Sequence, residues 1–158
     1  MNENDIWNMK LALEQAEKAY KIGEVPIGCV VTNVKGEVVS ATHNLKEKNK
    51  DATHHAEILA ISEASQKNGD WRLNGHTLYV TLEPCPMCLY AILQARFSRV
   101  VFGAYDFKAG SISLGYKFFC DKRFNHQFLV TGGMLHFNCS KILSDFFKQR
   151  RGEHLKGT

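Results

Sequence analysis

The stretch Thr77-Leu78-Tyr79-Val80-Thr81-Leu82-Glu83-Pro84-Cys85-Pro86-Met87-Cys88 holds a fold and a chemistry in one line. Thr77 to Thr81 is rich in β-branched, aromatic and apolar residues and predicts a strand. Pro86 suits the first turn of a helix, because its missing N–H would be unpaired there anyway. That helix is expected to run to about Arg96. A strand that passes straight into a helix is one half of an α/β unit. Ligands of such sheets gather where strands end and helices begin. Cys85 and Cys88 stand at that junction, three residues apart, so both sulfurs can lie on one side of a helical first turn. A helix N-terminus favours thiolates, and thiolates are preferred ligands of zinc.

Working outward, the other elements follow from periodicity and punctuation. Met9, Leu13, Ala16 and Tyr20 form one stripe of a helix over Ile6 to Tyr20, with Gly23 as its stop. Gly28 to Thr32 predicts a buried strand, and the turn at Asn33 to Gly36 leads into a second strand, Glu37 to Ala41. Asp51 or Thr53 can cap a second helix reaching about Lys67. Arg99 to Gly103 and Phe128 to Thr131 predict two more strands, and Asp106 to Asn125 carries no clear signal. A last helix is expected over about Ser140 to Arg151, with Ile142, Leu143, Phe146 and Phe147 on its apolar side. The expected fold is α/β: a three-layer α/β/α domain with a five-stranded mixed sheet. With 158 residues and no linker or repeat, residues 1–158 are expected to form a single domain.

Composition excludes several classes. The chain is 44% hydrophobic and 23% charged, an ordinary globular balance. No apolar run reaches the length of a membrane span, and the polar start lacks a signal core, so a cytoplasmic protein is expected. Five cysteines without a secretion signal point to metal binding or reduced thiols rather than disulfides. Cys29 lies in an apolar run, and Cys120 and Cys139 have no metal-type neighbours in sequence. From Lys141 onward five Lys/Arg face two acids, a net of +3, which suits a polyanion partner or the C-terminal end of a helix dipole.

A second motif, His55-Ala56-Glu57, lies near the start of the second helix. His55, Cys85 and Cys88 supply three zinc ligands and leave a fourth position open, the pattern of a catalytic site. Zinc acidifies water held in such a position to a pKa of about 7, and Glu57 is the nearby acid/base. The competing reading is a closed four-ligand knuckle with His54, His43 or Cys120 as fourth ligand. Residues two apart on an ideal helix point about 200° apart. Either His55 and Glu57 sit in an irregular first turn, or Glu57 bends back toward the metal.

His-x-Glu followed by Pro-Cys-x-x-Cys is the signature of the zinc-dependent nucleobase deaminases. With it stand Glu24-Val25-Pro26-Ile27-Gly28, His43-Asn44, RVVFGAYD over 99–106 and LSDFFKQRR over 143–151. On these stretches the chain resembles the cytidine deaminase-like superfamily, and within it the bacterial tRNA-specific adenosine deaminases. The resemblance implies conversion of adenosine to inosine at the wobble position of a tRNA anticodon loop. One Zn²⁺ per chain would be held by His55, Cys85 and Cys88, with Glu57 moving protons from water to the leaving ammonia. Ile27, Asn44 and Leu82 would form the base pocket, and Asp106 would touch the ribose of a neighbouring nucleotide. Phe146, Phe147, Arg150 and Arg151 would contact RNA, and a homodimer is implied. Plainer roles compete: an Asx turn for Asn44, a loop cap for Asp106, core packing for the phenylalanines. Gly110 to Tyr116 follows the family's Gly- and Ala-rich loop only loosely. The rival functions are a guanine or cytosine deaminase of the same fold acting on a free base, and a zinc-stabilised RNA-binding subunit.

Overall fold

Alternate residues of three neighbouring strands face opposite ways, and each set finds its own core. Cys29, Val31, Leu78, Val80, Val100 and Phe102 join one buried cluster; Val30, Tyr79 and Val101 join the other. Such continuous apolar strands, buried on both faces, belong to the middle of a layered α/β sheet. The computed structural model describes residues 2–157. Its elements are α1 (Glu3–Lys21), β1 (Gly28–Thr32), β2 (Val38–His43), α2 (Ala56–Asn68), β3 (Thr77–Leu82), α3 (Pro86–Gln94), β4 (Arg99–Ala104), β5 (Leu129–Thr131) and α4 (His136–Lys156). A single 3₁₀ turn, Phe118–Cys120, lies between β4 and β5.

The sheet order is β2-β1-β3-β4-β5. β1 runs antiparallel to β2 and β3, while β3, β4 and β5 are parallel. The sheet is therefore mixed and five-stranded, as expected. α1 and α4 cover one face, through Met9, Ala12 and Cys139, with Met134 of the turn before α4 beside them. α2 and α3 cover the other, through Ala56, Ala60, Ala64, Leu89, Ile92 and Leu93. Phe102 is 1% exposed, and truncating such a side chain to alanine costs about 3–5 kcal/mol. α1 lies so close to β1 that a Cβ on Gly28 would sit 1.9 Å from the Ala12 carbonyl oxygen. Only glycine fits there.

Several boundaries differ from the sequence expectation. Asp51 and Thr53 do not cap α2. Asp51 is spent on its own turn, accepting from the Thr53 N–H and hydroxyl, and His55 takes the N-cap position instead. β2 begins one residue later and extends to His43, because its pairing with β1 continues to Gly28. α3 stops at Gln94, and Arg96 follows with φ 66°, a left-handed conformation that ends a helix. α4 starts at His136 and reaches Lys156, longer at both ends than its apolar stripe indicates.

Among the described residues, no helix is long and apolar enough to cross a membrane.

Candidate active site

Antiparallel β1 begins where parallel β3 and β4 end, so one edge of the sheet collects residues from four strands. Gly28 pairs with His43, and Leu82 with Ala104. The backbone N–H of Asn44 donates to the Ile27 carbonyl (3.0 Å), and that of Gly28 to the Thr81 hydroxyl (3.1 Å). Ile27, Asn44, Leu82 and the start of the loop after β4 thus share one end of the sheet. α2 and α3 both begin at this end.

The two helix starts bring the metal-type ligands together. His55 is the N-cap of α2 in extended conformation, and Cys85 is the N-cap of α3 with Pro86 behind it. The first helical hydrogen bonds run from Leu59 N–H to the His55 carbonyl and from Leu89 N–H to the Cys85 carbonyl. The Thr42 hydroxyl donates to the Ala56 carbonyl (2.7 Å) and ties the start of α2 to β2. His55 Nδ1 lies 3.6 Å from Cys85 Sγ and 3.5 Å from Cys88 Sγ. Zinc bonds of about 2.0–2.3 Å in a tetrahedron separate ligand atoms by about 3.5–3.8 Å. The donor set and its spacing therefore fit a zinc ion held by His55, Cys85 and Cys88.

His54, His43 and Cys120 do not join the group. His54 pairs with Asp51 (3.2 Å) and Asn49, His43 Nδ1 meets Gln15 (3.2 Å), and Cys120 is exposed. Among the described residues the closed four-ligand arrangement has no fourth member, and three protein ligands remain. Burial pushes the Cys29 thiol up and the Cys139 thiol up to about 12, which keeps both as inert core residues.

The electrostatics suit a ligand set. The Cys85 thiol falls to about 4, chiefly because Cys88 hydrogen-bonds to its sulfur and then because of His55. The Cys88 thiol moves upward for the reciprocal reason, its bond to Cys85, and because it is buried. His55 is raised, first by its bond to Cys85. Glu57 is 4% exposed, and burial raises its carboxyl above the usual range. Its side chain meets Cys88, which places it against the ligand cluster. The 200° problem is thereby resolved: His55 precedes the helix proper, so the spacing rule for an ideal helix does not apply to it.

The other expected site residues take mixed positions. Asn44 is 5% exposed; its Oδ1 accepts from the Lys46 N–H (3.0 Å) and its Nδ2 donates to the Val25 carbonyl (3.2 Å). It makes the Asx turn and stands at the end of the sheet that holds the ligand cluster at once. Asp106 Oδ1 accepts from the N–H groups of Lys108 and Ala109 (both 3.1 Å), so it caps its own loop at the rim. Ile27 and Leu82 are half-buried, one against each core cluster. Phe146 is buried and meets Tyr20 edge-on at 5.6 Å. Arg150 donates to the Gly23 carbonyl and lies 4.9 Å over the Phe146 ring. Phe147 and Arg151 face outward.

Two carboxylates escaped sequence reasoning. Glu83, 2% exposed, accepts from the N–H groups of Asp106 (3.2 Å) and Ser113 (2.9 Å) and from the Ser113 hydroxyl (2.6 Å). Glu24, 1% exposed, accepts from the N–H groups of Glu47 (3.2 Å) and Lys48 (2.6 Å). Each holds one of the loops that flank the site. The available signal was a single acid set in an apolar, motif-bearing stretch.

Residues 2–104 match the model of the cytidine and deoxycytidylate deaminase zinc-binding region. The tRNA-specific adenosine deaminase of Bacillus subtilis (strain 168) is 45% identical over 151 residues, 96% of this chain and 92% of that protein. That of Haemophilus influenzae is 44% identical over 152 residues, 96% of this chain and 88% of that protein. A solved structure from work on A-to-I editing by tRNA A34 deaminases superposes with a TM-score of 0.82 at 40% identity, covering 87% of this chain and 99% of that one. A guanine deaminase structure from Bacillus subtilis gives 0.62 at 31% identity, covering 73% and 71%. The chain belongs to the zinc-binding cytidine and deoxycytidylate deaminase family and, within it, to the tRNA-specific adenosine deaminases.

Proposed function

We propose that this chain hydrolyses adenosine to inosine at the wobble position of a tRNA anticodon loop. The observation that carries the reading is likeness over nearly the whole chain to tRNA-specific adenosine deaminases, around a three-ligand site with a buried carboxyl. His55, Cys85 and Cys88 would hold the zinc. Bound there, a zinc ion would supply Lewis acidity toward a water facing the purine carbon that bears the amine. Glu57, beside Cys88, takes the proton from that water and delivers it to the amine, which leaves as ammonia. Burial serves this role, since a carboxyl raised toward neutral pH can both accept and return a proton. Ile27, Asn44 and Leu82 line the base pocket at the sheet end, and Asp106 stands at the rim where the ribose of a neighbouring nucleotide passes. Phe147 and Arg151, which face outward on α4, contact RNA, while Phe146 packs edge-on against Phe147 and Arg150 holds the Gly23 carbonyl.

The protein works as a single domain, as a homodimer, in the cytoplasm where tRNA is. The test measures inosine formed on an anticodon stem-loop against deamination of free guanine, cytosine and adenine. Inosine in the stem-loop is the expected product. Turnover of free guanine or cytosine alone would replace this reading with a free-base deaminase, and no turnover of any substrate would reduce the chain to a binding subunit.

A further inference from the structure

The loop after β4 exposes an aromatic surface that the base pocket does not use. Tyr105 and Phe107 stack, with ring centroids 6.3 Å apart and planes 10° from parallel. Tyr105 is fixed from below: it meets the buried Phe102 edge-on at 5.0 Å and lies against His136 at 6.1 Å. It also packs on the turn at Gly132, where an added Cβ would come within 2.8 Å of its hydroxyl. Phe107 is 80% exposed, so one ring face rests toward Tyr105 and the other meets water.

A single exposed phenylalanine needs no explanation. This one stands on a rigid support. Asp106, between the two rings, caps the turn through the N–H groups of Lys108 and Ala109, and its carbonyl accepts from the Gly110 N–H (2.8 Å). Glu83 grips the loop at Asp106 and Ser113, and the Ser111 N–H donates to the Pro84 carbonyl (2.9 Å). A Cβ at Gly110 would lie 2.1 Å from the Glu83 carboxylate, so the loop is seated tightly on that residue. Pro84 adjoins the metal-type ligand Cys85. The exposed ring is thus carried by a loop anchored next to Cys85, with exposed Lys108 beside it in sequence.

We propose that the outer face of Phe107 is a stacking site for an unpaired nucleobase next to the target adenosine. Every base has a π face that stacks on an aromatic ring, and a lysine beside the ring suits the phosphate of the same nucleotide. The inference rests on the RNA reading of the site. It makes Phe107 a residue that positions the loop of the substrate, with no part in the proton transfers.

The test uses the full-length, zinc-loaded enzyme and three anticodon stem-loops: one intact, one abasic at the nucleotide 5′ to the target, one abasic 3′ to it. On the intact loop, Phe107→Ala is expected to raise KM about tenfold, the range of one lost base stack, with kcat within about twofold. On one of the abasic loops wild type and Phe107→Ala are expected to have the same KM, because the partner base is gone. Phe107→Trp is expected to restore the wild-type KM on the intact loop. An unchanged KM in Phe107→Ala, or an equal loss on all three loops, would overturn the inference and leave the RNA reading standing. Failure of the wild-type enzyme to form inosine in the intact loop would overturn the RNA reading, and this inference with it.

Discussion

In the proposed reaction Glu57 concentrates the chemistry of the site in one side chain. It is buried against Cys88 at the second position of α2, where burial favours its protonated form. Glutamine at this position keeps the shape and the contact with Cys88 but can neither take nor return a proton. Glu57→Gln is therefore expected to bind one zinc per chain and to lose at least about 10⁴-fold in kcat, since one group serves more than one transfer. Metal analysis and single-turnover inosine formation on the same sample check both halves. A wild-type rate would move the proton transfers to another residue. The ligands and Glu57 were legible as residue types at a known spacing. Glu83 and Glu24 were not, because a carboxylate that organises a loop is recognised only by the N–H groups it meets, and those lie more than twenty residues away.

At the scale of elements, α1 and α4 show how much a helix depends on a few fixed contacts. Asp5 on α1 is 3% exposed and takes both Arg99 Nη atoms at 2.8 Å, with the Tyr79 hydroxyl also at 2.8 Å. The Arg99 bond is the largest cause of a lowered Asp5 pKa. A lowered carboxylate contributes its full stability above its ordinary value of 3.8 and loses it as pH falls through the folded value. Asp5→Asn is expected to cost about 1.5–3 kcal/mol near neutral pH, the range of a hydrogen-bonded charge whose partner Arg99 is still part-exposed, and the deficit is expected to shrink in acid. Urea midpoints of both proteins between pH 6 and pH 2 (about the range of a carboxylate titration) check this; a constant gap would deny Asp5 its charge. On α4, Arg150 is bound to the Gly23 carbonyl and Arg151 is exposed. Arg151→Ala is expected to reduce the slope of log affinity for RNA against log salt by about 0.7, the share of one phosphate contact on a single strand. Arg150→Ala is expected to lower the thermal midpoint and leave that slope unchanged. Equal slopes in wild type and Arg151→Ala would make the basic end of α4 a helix terminus only. The charge run was visible in sequence, but the tie of one exposed arginine, Arg150, to the Gly23 carbonyl was not, since that depends on where α1 ends. The caps were equally hidden: Asp51 is a better cap residue than His55, yet it is consumed by its own turn.

The whole molecule is a mixed five-stranded sheet, legible as such though not in its strand order, and its site is a seam. Alternating strands and helices, with a hairpin at the front, lead to one mixed sheet, and the observed order follows from β1 lying between β2 and β3. The seam is less visible in sequence, because His55 and Cys85 are thirty residues apart and meet only when α2 and α3 cover the same face. Zinc joins these two helix starts, so its free energy of binding is also free energy of folding. Without it, two sulfurs, an imidazole and a buried carboxyl face one another with no ion to share. A ligand present at about 1,000 times its Kd stabilises the native state by about 4 kcal/mol. For a chain of this size each kcal/mol moves Tm by about 2–4 °C. Removal of zinc by a chelator is therefore expected to lower Tm by about 8–16 °C, and added zinc to restore both Tm and turnover. Cys88→Ala, which deletes a ligand, is expected to melt at the lower temperature whether or not zinc is supplied. Metal analysis must accompany the melting curves, since a chelator that fails to extract the ion would leave Tm unchanged for a trivial reason. If the ion is gone and Tm is the same, the packing of α2 and α3 on the sheet holds the seam closed by itself, and the metal serves the chemistry alone.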